Sequence, residues 1–137
     1  PIRQELFWFD ILSSKMFHKK TPDQQPILHE FNRMVSAAGW VNKNVLLIAS
    51  ETNLFLYDLN TRVEKHLIDL EKDNLKTRSN DGRSDPWGGF WIGTMGKNCE
   101  PDAGDPLPGE AAPARPNSRT GVRSSRLLRP GVTKTYA

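Results

Sequence analysis

The sequence contains a single cysteine, Cys99, among its 137 residues. An internal disulfide and a cysteine-based zinc cluster are therefore excluded, and we expect an inert, reduced thiol in a cytoplasmic protein. No apolar run is long enough to span a bilayer, and the first residues lack the pattern of a signal peptide, so no membrane partner is expected. The chain begins at Pro1 instead of Met, which favours a processed or incomplete N-terminus.

Acidic and apolar residues are scarce at the end of the chain. Residues 106–137 hold six basic residues, one acid and half of the ten prolines, without any apolar periodicity. A segment of this composition cannot bury enough apolar surface to fold, so we predict a disordered Pro/Arg-rich tail over residues 105–137. A basic tail can bind phosphates, but this one has no aromatic residue among its arginines and follows a slightly acidic segment. No nucleic-acid partner is therefore expected.

The rest of the chain is a series of short apolar or alternating runs separated by turn-forming residues. Such runs predict β-strands, and they lie at residues 6–11, 16–18, 27–31, 39–41, 45–49, 54–58, 63–68 and 90–92. With Phe7, Leu47 and Phe90 taken as equivalent positions, the runs recur about 40 to 45 residues apart, which is the period of four-stranded propeller blades. The period alone leaves a propeller and a sandwich open, and both are all-β folds.

The stretch from Arg78 to Met95 combines a polar segment, a tight turn and an apolar run. Asn80-Asp81-Gly82 favours a backbone position with positive φ, and Asp85-Pro86 before two glycines predicts a turn that leads into a strand. We therefore predict strand, loop, turn and strand, with Arg78 and Asn80 presented near a strand end. On the residues alone, a purely structural hairpin is the favoured explanation.

The same stretch carries a family resemblance. Asn80-Asp81-Gly82-Arg83, then Asp85-Pro86, then Phe90-Trp91-Ile92-Gly93-Thr94-Met95 resemble the signature of the gluconolactonase, regucalcin and senescence-marker-protein family. Members of that family are six-bladed β-propellers that open sugar lactones with a divalent metal. The resemblance runs to about residue 104, so it implies about two to two and a half blades over residues 1–104. The tail at 105–137 would then be foreign to the family pattern, for instance the product of an altered reading frame.

The resemblance also implies a substrate site. Arg78 and Asn80 match positions that bind sugar hydroxyls and the lactone, and Glu100 lies near an additional substrate-side position. Asp81 and Gly82 match residues that shape the loop. The family's metal ligands, a Glu, an Asn and a catalytic Asp, fall outside the matching segments, so no catalytic and no metal-binding residue is assigned here. A divalent cation (calcium, zinc, magnesium or manganese) is implied for full-length members, with a sugar lactone as substrate.

These implications describe a fragment of a metal-dependent sugar-lactone hydrolase that we expect to be inactive alone. The alternative is a non-enzymatic, calcium-binding or regulatory propeller of the regucalcin type. The histidines lie far apart in the sequence and are expected to pack within strands or face solvent, and the tryptophans are expected to pack between blades. These residues are His18, His29 and His66, and Trp8, Trp40, Trp87 and Trp91.

Overall fold

The computed structural model describes residues 3–99 and the backbone of a strand at 122–128, and every regular element in these residues is a β-strand. The strands are β1 (Leu6–Asp10), β2 (Lys15–Lys19), β3 (Ile27–Glu30), β4 (Val35–Trp40), β5 (Val45–Ser50), β6 (Asn53–Asp58), β7 (Glu64–Asp69), β8 (Thr77–Ser84), β9 (Phe90–Gly96) and β10 (Val122–Leu128). This part of the chain contains no helix that is long and apolar enough to cross a membrane.

The strands form three antiparallel sheets. Sheet 1 consists of β1, β2 and β3, sheet 2 of β4, β5, β6 and β7, and sheet 3 of β8, β9 and β10, with β9 in its centre. Within sheets 1 and 2 each strand pairs with the next one, because short polar turns connect them. The Asp58 carboxylate, for example, accepts the Asn60 and Thr61 amides at 2.9 Å each and so fixes the turn between β6 and β7.

Sheet 2 lies between sheet 1 and sheet 3, and both of its faces are apolar. Leu46 and Ile48 of β5 belong to the buried cluster that faces sheet 1, whereas Leu47 and Ala49 belong to the cluster that faces sheet 3. Successive side chains of a strand point to opposite faces, so a strand that is buried on both sides needs a continuous apolar run. The run at 45–49 meets that requirement.

Aromatic and polar rings dominate the contact between sheet 1 and sheet 2. The Phe7 ring stacks on the His18 ring at 4.8 Å and meets the Trp40 ring edge-on at 5.2 Å. His29 is buried, and its Nδ1 atom shares a hydrogen bond of 2.7 Å with the Tyr57 hydroxyl. His18 and His29 therefore have the packing roles that the sequence predicted.

The strand predictions are confirmed for most runs, with three differences. Asp81 and Gly82, predicted to shape a loop, lie inside β8 and pair with β9, while Arg78 lies near the start of that strand, as predicted. Gly82 is not among the residues with positive φ, and in this region that conformation belongs to Gly88, with φ of 81°. Strand β10 was not predicted. It falls within the segment 105–137, and the rest of that segment lies outside the described residues.

The packing also corrects the alignment of the repeats. Phe7 and Leu47 each face the following sheet, but Phe90 is buried against sheet 2, which precedes its own sheet. Its neighbour Trp91 points to the opposite face of sheet 3 and is therefore the position equivalent to Phe7 and Leu47. The spacing stays within the period of about 40 to 45 residues that is typical of propeller blades.

The tryptophans divide into two pairs. Trp40 packs between sheets 1 and 2, and Trp8 stacks on Phe17 with ring centroids 5.4 Å apart. Trp87 and Trp91 are 78% and 43% exposed. The prediction that the tryptophans pack between blades therefore holds for Trp40, whereas Trp8 stacks within sheet 1 and Trp87 and Trp91 are exposed.

Candidate functional site

The residues predicted to bind substrate lie on β8, which runs beside β4 where sheets 2 and 3 meet. The Ser36 hydroxyl of β4 donates to the Ser79 hydroxyl of β8 over 2.7 Å, and both side chains are buried. The register of β8 against β9 shifts between Ser79 and Asp81, so Asn80 is an extra residue on β8. A β-bulge of this kind re-aims the side chains around it.

Arg78 and Asn80 flank Ser79 and are tied together at this bulge. Arg78 Nη1 donates to Asn80 Oδ1 and to the Ser79 carbonyl oxygen, each at 3.1 Å. Arg78 Nε is buried and has no hydrogen-bond partner among the described residues. A guanidinium group carries five N–H donors in a rigid plane, so the two bonds fix its orientation while other donors remain for an oxygen-rich ligand.

Glu71 holds the start of β8 against the end of β9. Its Oε2 atom accepts the Thr77 hydroxyl at 2.7 Å, and its Oε1 atom accepts the Thr94 hydroxyl at 2.9 Å. Thr77 and Thr94 are both buried, so each hydroxyl needs such a partner. Glu71 adopts a φ of 45°, a left-handed conformation that is uncommon for a residue other than glycine. The carboxylate thus fixes the strand that carries Arg78.

A second carboxylate connects sheets 2 and 3 at the same end. The Lys97 ammonium lies 2.6 Å from Glu51 Oε2, and the Met34 amide donates to Glu51 Oε1 at 3.2 Å. Burial acts to raise the pKa of Glu51, but the Lys97 hydrogen bond, the Met34 amide and the charges of Lys97 and Arg33 together hold that pKa below its ordinary value. Glu51 is therefore a charged, fixed partner of the segment that follows β9.

Two features keep β8 and β9 close at the end where the turn at 85–89 connects them. Gly82 lies so near β9 that a Cβ atom on it would meet the Trp91 carbonyl oxygen at 2.9 Å. Residue 82 is therefore a glycine because the backbone of β9 lies too close for a side chain, and not because the position requires a positive φ. The Asp85 carboxylate accepts the Trp87 amide at 2.9 Å and the Gly89 amide at 2.7 Å, which forms the turn that Asp85-Pro86 predicted.

The structure thus brings Arg78 and Asn80 together in the first half of β8. Asp81 and Gly82 lie in the same strand, where the Gly82 amide donates to Asp81 Oδ1 at 2.8 Å. Glu100 lies outside the described residues, so its position near the substrate stays a prediction. The substrate-binding role of Arg78 and Asn80 likewise stays a prediction.

Sequence analysis missed the side chains that fix β8 from outside the strand. Ser36 and Ser79 are 43 positions apart, and Glu71 and Thr94 are 23 positions apart, so no local pattern connects them. The one available signal is that both carboxylates come shortly after a strand-like run: Glu51 follows the run at 45–49 by two residues, and Glu71 follows the run at 63–68 by three.

The described residues do not form a binding site for a divalent cation. Among them, no group of three or more His, Cys, Asp or Glu side chains could hold a metal ion. The oxygen atoms of Glu51 and Glu71 bind protein donors instead.

Comparisons with known proteins show which family the chain resembles. Residues 1–124 match the SMP-30/gluconolactonase/LRE-like region. A Rhizobium meliloti (strain 1021) protein provisionally named a sugar lactone lactonase is 33% identical over 98 residues, which are 72% of this chain and 33% of that protein. The 6-deoxy-6-sulfogluconolactonase of Pseudomonas putida is 27% identical over 92 residues, 67% of this chain and 32% of that enzyme.

A solved structure supports the same family assignment. A calcium-binding protein of Agrobacterium tumefaciens strain C58, regucalcin, is 36% identical and superposes with a TM-score of 0.69 over 73% of this chain and 34% of its own. The predicted all-β propeller is thereby confirmed, with sheets 1 to 3 as blades or parts of blades.

Two further points concern the extent of the match. The matched range includes residues 105–124, which were predicted to be foreign to the family pattern. The chain spans about a third of the length of the relatives named above. With a match over residues 1–124 and three sheets stacked as blades, the chain belongs to the SMP-30/gluconolactonase/LRE-like family.

Proposed function

We propose that this chain is part of a sugar-lactone hydrolase in which Arg78 and Asn80 bind the substrate. The observation that carries the proposal is the bulge on β8, where the Arg78 guanidinium is fixed by Asn80 and by the Ser79 carbonyl oxygen. Two relatives are named as lactonases, which supports a sugar lactone as the substrate class.

The two side chains suit a polyhydroxylated ligand. The Arg78 guanidinium donates hydrogen bonds, and the Asn80 carboxamide can both donate and accept them, so the pair can bind hydroxyl groups and the lactone oxygen atoms together. Among the described residues the buried Nε atom of Arg78 has no partner, which adds a reason, since an unsatisfied buried donor costs about 1–3 kcal/mol that a ligand oxygen would remove. In this role the chain binds and orients the substrate.

Hydrolysis is proposed for the whole protein and not for these residues alone. The regucalcin neighbour is described as calcium-binding, and we propose a divalent cation, with calcium, zinc, magnesium or manganese as candidates, for the complete enzyme. The part of the chain that the structure describes holds no group of metal ligands. The isolated 137-residue chain should therefore not hydrolyse sugar lactones.

Ligand titration of the full 137-residue chain tests the binding role. We expect a sugar lactone, and the matching polyol as a non-hydrolysable probe, to shift the backbone amide resonances of Ser79, Asn80 and Gly82 in the NMR spectrum. Arg78→Met should abolish these shifts, while Arg62→Met, an exposed arginine in the turn between β6 and β7, should leave them unchanged. Shifts that survive in Arg78→Met would overturn the assignment.

A pH-indicator assay tests the second half of the proposal. The chain is mixed with gluconolactone and each of the four cations in turn, and the expected rate equals the spontaneous one. Metal-dependent hydrolysis above that rate would show that the chain does contain a metal site, which would contradict the division between binding and hydrolysis.

A further inference from the structure

A small cavity lies at the contact between sheets 1 and 2. Its volume is about 400 Å³, near the lower end of the range of about 300–1,000 Å³ that is typical of small-molecule sites. The loop between β3 and β4 lines one side, and β6 and β7 line the other. The lining residues are Asn32, Arg33, Asn53, Phe55, Glu64 and His66. All of them belong to sheet 2 or to the loop that joins it to sheet 1, so the described residues form this cavity.

Arg33 is fixed in the cavity on three sides. Its Cζ atom lies 4.3 Å from the centroid of the Phe55 ring, its Nη1 atom donates to Asn32 Oδ1 at 2.8 Å, and its Nη2 atom donates to Glu64 Oε2 at 2.7 Å. The Nε atom is buried and has no hydrogen-bond partner among the described residues. A buried donor is normally paired, so this N–H group indicates an acceptor that a bound ligand would supply.

His66 is held at the exposed side of the same cavity. The Asn53 carboxamide nitrogen lies 3.2 Å from His66 Nδ1, and the Ser50 hydroxyl donates to Asn53 Oδ1 at 2.8 Å. A hydrogen bond from Asn53 to Nδ1 requires the tautomer that carries its proton on Nε2. That Nε2 atom lies 3.4 Å from Asp69 Oδ1, and the side chain is 52% exposed. The orientation of the ring is therefore set before any ligand binds.

The polar groups of the cavity suit a neutral ligand better than an ion. Arg33 and Glu64 form an ion pair, so their charges cancel. A charged ligand would be attracted by one member of the pair and repelled by the other. A neutral ligand with several hydroxyl groups can accept from the guanidinium and donate to the carboxylate at the same time, because each of these groups offers more than one hydrogen-bonding position.

We propose that this cavity is a second binding site, which takes a neutral monosaccharide or polyol. In this site Arg33 Nε donates to one hydroxyl oxygen of the ligand, and the Glu64 carboxylate accepts from a neighbouring hydroxyl. The site is separate from the candidate substrate site, because that site lies on β8, whereas the cavity is lined by β6, β7 and the loop before β4. The proposal therefore holds whether or not Arg78 binds a lactone.

NMR titration of the full 137-residue chain with Arg78→Met tests the proposal, since this substitution removes the candidate substrate site. Glucose and sorbitol should shift the backbone amide resonances of Arg33, Asn53 and His66, and the charged gluconate should bind more weakly than sorbitol. Adding Arg33→Lys keeps the cation of the ion pair but removes the Nε donor, so it should weaken sugar binding at least about tenfold. Arg83→Lys, the same change at an exposed arginine of β8, is the matched control and should leave binding unchanged.

Three results would overturn the proposal. They are unchanged resonances at these three amides with both neutral ligands, an unchanged affinity after Arg33→Lys, and tighter binding of gluconate than of sorbitol. Circular dichroism establishes the β-sheet content of each variant. If the chain with Arg33→Lys does not fold, His66→Ala alters the same cavity at a half-exposed side chain and should weaken sugar binding. An unchanged affinity in that variant would then overturn the proposal.

Discussion

The buried pair of His29 and Tyr57 should make this protein less stable in mild acid. The His29 side chain is 1% exposed, its Nδ1 atom is bonded to the Tyr57 hydroxyl at 2.7 Å, and its Nε2 atom has no partner among the described residues. Burial, and then the charges of Arg62 and His18, lower the pKa of His29 from 6.5 to about 4. The folded protein therefore keeps the ring neutral at a pH where the unfolded chain protonates it.

The direction of the effect follows from proton linkage. Between pH 6.5 and about 4, the unfolded chain binds more protons at His29 than the folded protein does, so the free energy of unfolding falls as the pH falls. One pKa unit corresponds to about 1.4 kcal/mol, so the whole displacement corresponds to about 3 kcal/mol. Most of this is lost by pH 4.5, and the full contribution is present only above pH 6.5.

Urea unfolding at pH 7.5 and pH 4.5 measures this loss. His29→Gln keeps a polar group near Tyr57 but cannot take up a proton, so the wild type should lose about 2–3 kcal/mol more than His29→Gln between the two pH values. Carboxylates titrate in both proteins and cancel in the comparison. His66→Gln, on a side chain that is 52% exposed, is the matched control and should follow the wild type. Equal pH dependence in the wild type and His29→Gln would refute the reasoning.

Three other substitutions test the contacts around β8. Gly82→Ala places a Cβ atom 2.9 Å from the Trp91 carbonyl oxygen, so it should reduce the free energy of unfolding by about 1–3 kcal/mol; an unchanged thermal midpoint would show that β9 can move away. Lys97→Met removes the cation from Glu51, so the pKa of Glu51 should rise and the protein should lose about 1 kcal/mol at pH 7; an unaltered Glu51 titration by NMR would contradict this. Asp85→Ala leaves the turn before β9 without its acceptor, which should cost about 1–2 kcal/mol and change the tryptophan emission; identical emission and stability would argue that the turn forms without the carboxylate.

Local patterns predicted most of the strands because the causes of those strands are local. The run at 54–58 alternates between two buried faces and ends at Asp58, which forms the following turn with its own carboxylate, so β6 (Asn53–Asp58) could be located from the sequence. The turn at Asp85-Pro86 was predictable for the same reason, since the acceptor and the amides it binds lie within a few residues.

The segment Asn80-Asp81-Gly82 was wrongly predicted as a loop because its conformation depends mainly on pairing with β9, which is not visible in the local sequence. These residues favour a turn when considered alone, but pairing with β9 provides a ladder of backbone hydrogen bonds that overrides the preference and leaves only a bulge at Asn80. The glycine then serves close contact with Trp91 instead of a left-handed turn. A sequence pattern cannot distinguish these two uses of glycine until the partner strand is known.

The orientation of Arg78 depends on contacts that cross from one sheet to another. Ser36 of sheet 2 binds Ser79 beside it, and Glu51, in the turn after β5, binds Lys97 after β9. Arg78 itself donates to the backbone and to the side chain of Asn80 at the bulge, so any shift of β8 against sheet 2 changes where its guanidinium points. The candidate substrate site is therefore a property of the contact between sheets 2 and 3, which explains why residues far apart in the sequence are needed to position two neighbouring side chains.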